Sequence, residues 1–118
     1  MATTAEVVNA FLAALSRRDF AAARRCLADD FQFRGPFDAF DAPEPYLAAV
    51  EKLYTVVQAT RVRRLFVDGD EACLLYDMET ATPAGTAFIC EWFRVRGSTV
   101  SSMQAVFDAR PFAPMFGR

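Results

Sequence analysis

The sequence predicts an α+β domain in which three helices cover one face of a curved, antiparallel (mixed) sheet. Three observations predict it. Apolar residues recur at helical spacing up to about residue 57. From Thr60 the period changes to two and holds to Phe107. Short turn signals, rather than long linkers, separate the alternating runs, as in a meander. With 118 residues, 53% of them hydrophobic and twelve of them Phe, the chain is long and apolar enough for one packed domain, 1–118.

Thr3-Thr4-Ala5-Glu6 has the form of a capping box, and Val7, Val8, Phe11, Leu12, Ala14 and Leu15 follow at helical spacing. A first helix is expected over 4–16, with Arg17 and Arg18 near its negative end. Asp19 N-caps a second helix over 20–27. Asp29-Asp30 breaks the pattern, and 31–33 alternates as a short strand stopped by Gly35-Pro36. Residues 35–45 read as an ordered loop. Asp41 caps a third helix that holds Pro43 and Pro45 in its first turn and presents Tyr46, Leu47, Val50, Leu53, Tyr54 and Val57. Strands are expected at 61–67, 72–80, 86–95 and 99–107, with reversals at 68–70, 83–85 and 96–98.

In the strand 86–95, alternation places Ala87, Ile89, Glu91, Phe93 and Val95 on one face and Thr86, Phe88, Cys90, Trp92 and Arg94 on the other. Glu91 is therefore a lone carboxyl on an apolar face. An isolated carboxylate among hydrocarbon tends to neutralise, its pKa rising by as much as ~3–5 units when fully buried. Neutral, it donates a hydrogen bond or a proton; ionised, it removes one from carbon. The structural alternative is that Glu91 is tied off by Arg34, Tyr54 or Tyr76. Tyr54 and Tyr76 carry hydroxyls that need partners if buried, so they stand beside Glu91 as candidate catalytic residues. The apolar faces of Phe88, Cys90 and Trp92 suggest a homodimer contact.

Composition narrows the chemistry. There is no His, and the three cysteines, Cys26, Cys73 and Cys90, form no CxxC pair, so zinc sites and His-based triads are not expected. No cofactor motif is present. The net charge of −2 and the scattered arginines give no basic stripe for nucleic acid. No signal peptide or membrane-spanning run is visible, and reduced thiols fit a cytoplasmic protein.

Taken in order, Phe11-Leu-Ala-Ala-Leu-Ser-Arg-Arg-Asp19, Leu27-Ala-Asp-Asp-Phe31, Val67-Asp-Gly-Asp70, Glu91-Trp-Phe-Arg94 and Met103-Gln-Ala-Val-Phe-Asp108 resemble the nuclear transport factor 2-like superfamily, in its SnoaL-like and ketosteroid-isomerase-like branch. The resemblance covers nearly the whole chain. It implies a cone-shaped, cystatin-like α+β fold, a deep apolar cavity for a small apolar ligand, and commonly a homodimer through the outer sheet face. It also implies a cavity lining of Phe11, Leu15, Phe33, Tyr54, Tyr76, Met78, Ile89, Phe93, Met103, Ala105 and Phe107. Of three functional positions in ketosteroid isomerases, the helix-one tyrosine is matched here by Phe11 and the base before the loop proline by Gly35. Only the strand carboxyl is retained, as Glu91. The resemblance thus leaves two expectations open: a cofactor-independent isomerase, cyclase or lyase on an apolar carbonyl compound, or a non-catalytic dimer that binds a ligand or partner chain.

Overall fold

The structure, a computed structural model, describes residues 2–117. The chain runs α1 (Thr4–Ser16), α2 (Phe20–Arg25), β1 (Leu27–Arg34), β2 (Ala39–Phe40), α3 (Pro43–Leu53), β3 (Val57–Asp68), β4 (Glu71–Thr80), β5 (Thr86–Arg96) and β6 (Thr99–Phe107), then a 3₁₀ turn, Arg110–Phe116. The six strands form one mixed sheet in the order β2-β1-β6-β5-β4-β3.

The capping box at Thr3 and Glu6 forms as expected, both reciprocal bonds being present. Asp19 accepts from the Ala22 N–H and starts α2. Between the two helices, Arg18 takes a positive φ of 57°, the one non-glycine residue among those described to do so. Its guanidinium donates to the Val57 carbonyl and stacks 4.8 Å from the Tyr54 ring centre. That stacking ties the α1–α2 turn to the end of α3.

Several details depart from the sequence reading, among them a short strand, β2, within the stretch read as a loop, and Val57, assigned to the third helix, which instead opens β3. α2 stops at Arg25, and Leu27 opens β1, which continues through Asp29-Asp30 with a register shift against β6 between Leu27 and Gln32. Both acids are exposed at this irregularity, where Asp29 pairs with Arg24 and Asp30 with Arg96. The sheet is mixed, as expected, because β1 lies parallel to β6. α3 begins at Ala42 without a side-chain cap. Asp41, expected as the cap, instead accepts from Arg34 at 2.9 Å, and this pair also removes Arg34 as a partner for Glu91. Finally, strict alternation along 99–107 sets Val100 with Ser102, Gln104 and Val106, opposite Ser101, Met103, Ala105 and Phe107. In β6 the pairing steps from Arg94↔Ser102 to Val95↔Val100, so Ser101 is a bulge residue and Val100 turns into the core.

Bulges also bend β3. Its pairing with β4 skips Gln58 and Arg63, each adding one residue to β3 against none on β4. The sheet curls, and α1 and α3 lie in the hollow. One core cluster gathers Phe11, Phe31, Leu74, Phe93 and Met103 under these helices. A smaller one, of Val57, Met78, Ala87, Ile89 and Phe112, sits where β4 and β5 meet the C-terminal 3₁₀ turn. Tyr54 and Tyr76 pack against both clusters. Among the described residues, no helix is long and apolar enough to cross a membrane.

Candidate functional site

The two clusters do not close on each other, and a cavity of about 290 Å³ lies between them. α1 supplies Phe11, Leu12, Leu15 and Ser16; α3 supplies Tyr46, Val50 and Leu53, with Tyr54 at its C-cap. The sheet supplies Phe33, Leu74, Tyr76, Met78, Ile89, Glu91, Ala105 and Phe107. The loop after β1 adds Gly35, Pro36, Phe37 and Asp38, and the 3₁₀ turn adds Phe112 and Met115. Exposed Ser16, Pro36, Asp38 and Met115 mark the mouth.

Glu91 reaches this cavity because β5 alternates without interruption across its centre: Ala87, Ile89, Phe93 and Val95 are buried, while Thr86, Phe88, Trp92 and Arg94 are exposed. Leu74 lies directly opposite Glu91 on β4, and Ala105 directly opposite on β6. The flanking side chains are thus apolar and one is small, which leaves room above the carboxyl. Glu91 is enclosed by protein yet keeps some accessible surface, because what it faces is the cavity itself. The Tyr76 hydroxyl donates to Glu91 Oε1. Among the described residues Oε2 has no partner and stays open to the cavity. Burial raises the Glu91 pKa from 4.5 to about 7, against the opposing effect of the Tyr76 hydrogen bond.

Three phenols surround this carboxyl. Burial raises the Tyr76 pKa well above its usual range, and the Glu91 charge adds to it. Tyr54 rises to about 12, first from burial, then from Glu91. Tyr46 rises well above the usual range for the same two reasons. All three hydroxyls therefore keep their protons at neutral pH and act as donors. Their present occupations differ. Tyr76 serves Glu91; Tyr46 donates to the Met103 thioether at 3.5 Å, a weak acceptor; Tyr54 has no hydroxyl partner among the described residues. Inside the cavity, Glu91 Oε2 and the Tyr54 hydroxyl are thus both open to a ligand.

Of the residues expected to line the cavity, Phe11, Leu15, Phe33, Tyr54, Tyr76, Met78, Ile89, Ala105 and Phe107 do so, with Glu91 among them. Phe93 and Met103 do not, and the expected lining is corrected there. Both share the inward faces of their strands, but α1 and α3 close down over that end of the sheet. Phe93 is wholly buried with its ring 6.5 Å from that of Phe11, and Met103 is sealed beneath Tyr46. The sequence reading missed Tyr46 and Asp38. Tyr46 was assigned to the apolar face of α3 with no role for its hydroxyl, and the alternation that found Glu91 carries no signal in the loop that holds Asp38. At Gly35 a Cβ would stand 2.8 Å from the Phe33 ring, which would have to shift to admit a side chain.

Comparison with known proteins agrees with this architecture. The profile of the SnoaL-like domain matches residues 8–103. The chain is similar to an NTF2-like protein of unknown function from Cytophaga hutchinsonii, with 27% identity, a TM-score of 0.84 and 96% of each chain covered. It also superposes on a protein from Kribbella flavida provisionally named a ketosteroid isomerase, with 18% identity, a TM-score of 0.78, and 89% of this chain and 77% of that one covered. An LEH-like epoxide hydrolase from M. tuberculosis superposes with 19% identity and a TM-score of 0.74, over 92% of this chain and 84% of that one. These last two likenesses establish the fold alone. No curated protein matches the chain.

Proposed function

We propose, from the premise that the chain belongs to the SnoaL-like domain family and has the nuclear transport factor 2-like fold, that it is a cofactor-independent isomerase, cyclase or lyase. Its substrate is a compact, apolar, carbonyl-bearing compound held in the 290 Å³ cavity. The observation that carries this reading is the carboxyl of Glu91, held by Tyr76 at one oxygen and open to an apolar cavity at the other. A carboxyl with a pKa of about 7 is populated in both forms near neutral pH. It can therefore take a proton from a carbon beside the carbonyl and return it elsewhere, which is the condition for general acid–base catalysis at working pH. Tyr76 is the positioning residue. Tyr54, with its proton retained and its hydroxyl open, is the donor for the carbonyl oxygen, where negative charge develops as the proton leaves.

The test is turnover of a panel of cyclic ketones and lactones by the wild-type protein and by Glu91→Gln. The variant keeps the shape and the Tyr76 acceptor and is expected to lose about 10²–10⁴ in kcat. Unchanged turnover of any substrate found would overturn the assignment of Glu91.

A second reading, a non-catalytic dimer that binds a ligand or partner, is favoured by the convex sheet face. There Phe66, Phe88, Trp92 and Val106 are exposed together, Phe88 at 50% and Trp92 at 40%. Arg63 lies 4.4 Å from the Phe88 ring and Arg94 5.1 Å from that of Trp92. An apolar patch edged with arginine suits a self-complementary contact, so the Phe88, Cys90 and Trp92 face is the proposed homodimer surface. Sedimentation equilibrium is expected to give a dimer for the wild type and a monomer for Trp92→Glu; a wild-type monomer at high concentration would exclude it. The three free thiols fit a reducing, cytoplasmic setting.

A further inference from the structure

The cavity has a charge imbalance that its apolar lining leaves uncorrected. Among the described residues, no Arg or Lys lines it. The nearby cation, Arg18, is spent elsewhere: its guanidinium donates to the Ser16 and Val57 carbonyls and lies over the Tyr54 ring. Arg34 is held by Asp41. The second acid of the cavity, Asp38, stands exposed at the mouth with no ion pair among the described residues. A ligand entering the cavity thus passes one carboxylate and ends against another, Glu91, whose Oε2 is free. Between the two lie the rings of Phe11, Phe33, Tyr46, Tyr54, Tyr76 and Phe107.

We infer that the cavity selects ligands by charge, taking apolar primary amines, as their ammonium ions, in preference to neutral isosteres, and rejecting carboxylates. The ammonium sits on Glu91 Oε2 with its hydrocarbon among the aromatic rings. This rests on the cavity-and-Glu91 reading above and adds a ligand class to it. A buried ion pair formed from two solvated ions often gains nothing, because both must be desolvated. Here folding has already desolvated the carboxyl, so the ligand meets only its own desolvation cost. Aromatic faces around the ammonium offset part of that cost, since their negative π-surfaces attract a cation. An anion gets neither gain and meets two like charges on its path.

The experiment compares three probes of one shape by calorimetry and thermal shift at about pH 8: 1-(2-naphthyl)ethylamine, 2-acetylnaphthalene and 2-naphthoate. The amine is expected to bind wild-type protein about tenfold more tightly than the ketone, and the carboxylate not measurably. In Glu91→Gln the amine should fall to the ketone's affinity or below while the ketone is unaffected. Asp38→Asn should weaken the amine alone, by a smaller factor. Amine binding equal to ketone binding in the wild type, or amine binding retained in Glu91→Gln, overturns the inference while leaving the cavity reading in place. Absence of binding by all three probes overturns both.

Discussion

The wild-type protein is expected to lose stability, on the order of 3 kcal/mol, as pH rises from about 5 to about 8, and Glu91→Gln is expected not to. The cause is the Glu91 carboxyl, at about 7 in the folded chain against 4.5 for an unhindered glutamate. Between these values the folded state holds a proton that the unfolded state has released. Folding is then linked to proton uptake, and its contribution to stability, complete below about pH 4.5, is lost as pH rises through 7. The window isolates this group. Asp30 and Asp108, whose pKa values are held down by Arg96 and Arg110, act in the opposite sense at acid pH. The thiols of Cys26 and Cys90, and the three cavity tyrosines, are pushed up and act only at alkaline pH. Gln keeps the acceptor for Tyr76 and removes the titration. Urea denaturation at a series of pH values measures the effect; parallel curves for the two proteins would mean that Glu91 is ionised and solvated in the folded state.

Phe93→Ala is expected to cost about 3–5 kcal/mol, measured by the same denaturation, because the ring is wholly buried and its neighbours are fixed by three different elements. Phe11 comes from α1, Met103 from β6 and Ala72 from β4, opposite Phe93 in the ladder. Such a site cannot collapse onto a missing ring, so the cavity penalty adds to the lost transfer energy. A loss under about 1 kcal/mol would contradict the sealed core described at this end of the sheet. Phe107, by contrast, is half-buried and borders the open cavity, so its truncation should cost less. The contrast between these two phenylalanines follows from where the helices end, and alternation alone assigns them the same face.

The legible part of the site was what strand periodicity controls. Glu91 and Ile89 were assigned to one face from their parity, the resemblance, which rests on the same alternation, added Tyr76, Met78, Ala105 and Phe107, and all six line the cavity. Helix residues Phe11 and Leu15 were legible from helical spacing. What periodicity cannot register is depth along a face, and so Phe93 and Met103 were misplaced by the same rule that placed the others. Nor does it register a bulge: one extra residue at Ser101 reversed the parity of Val100. Hydroxyl partners lie further out of reach. The reading left Glu91 open among Arg34, Tyr54 and Tyr76; Arg34 went to Asp41, a neighbour across the β1–β2 turn, and Tyr76 went to Glu91 from an adjacent strand.

By itself the sequence determined the three helices, the four long strands, most of their inward faces and the presence of one acid among hydrocarbon, because each follows from the repeat of a single helix or strand. Only the tertiary structure decided that β1 joins β6 in parallel, that bulges at Gln58 and Arg63 curl the sheet, and that the resulting hollow is filled at the Phe93 end and empty above Glu91. Whether space remains above a side chain depends on how far helices from elsewhere in the chain descend onto the sheet, and no local repeat encodes that distance.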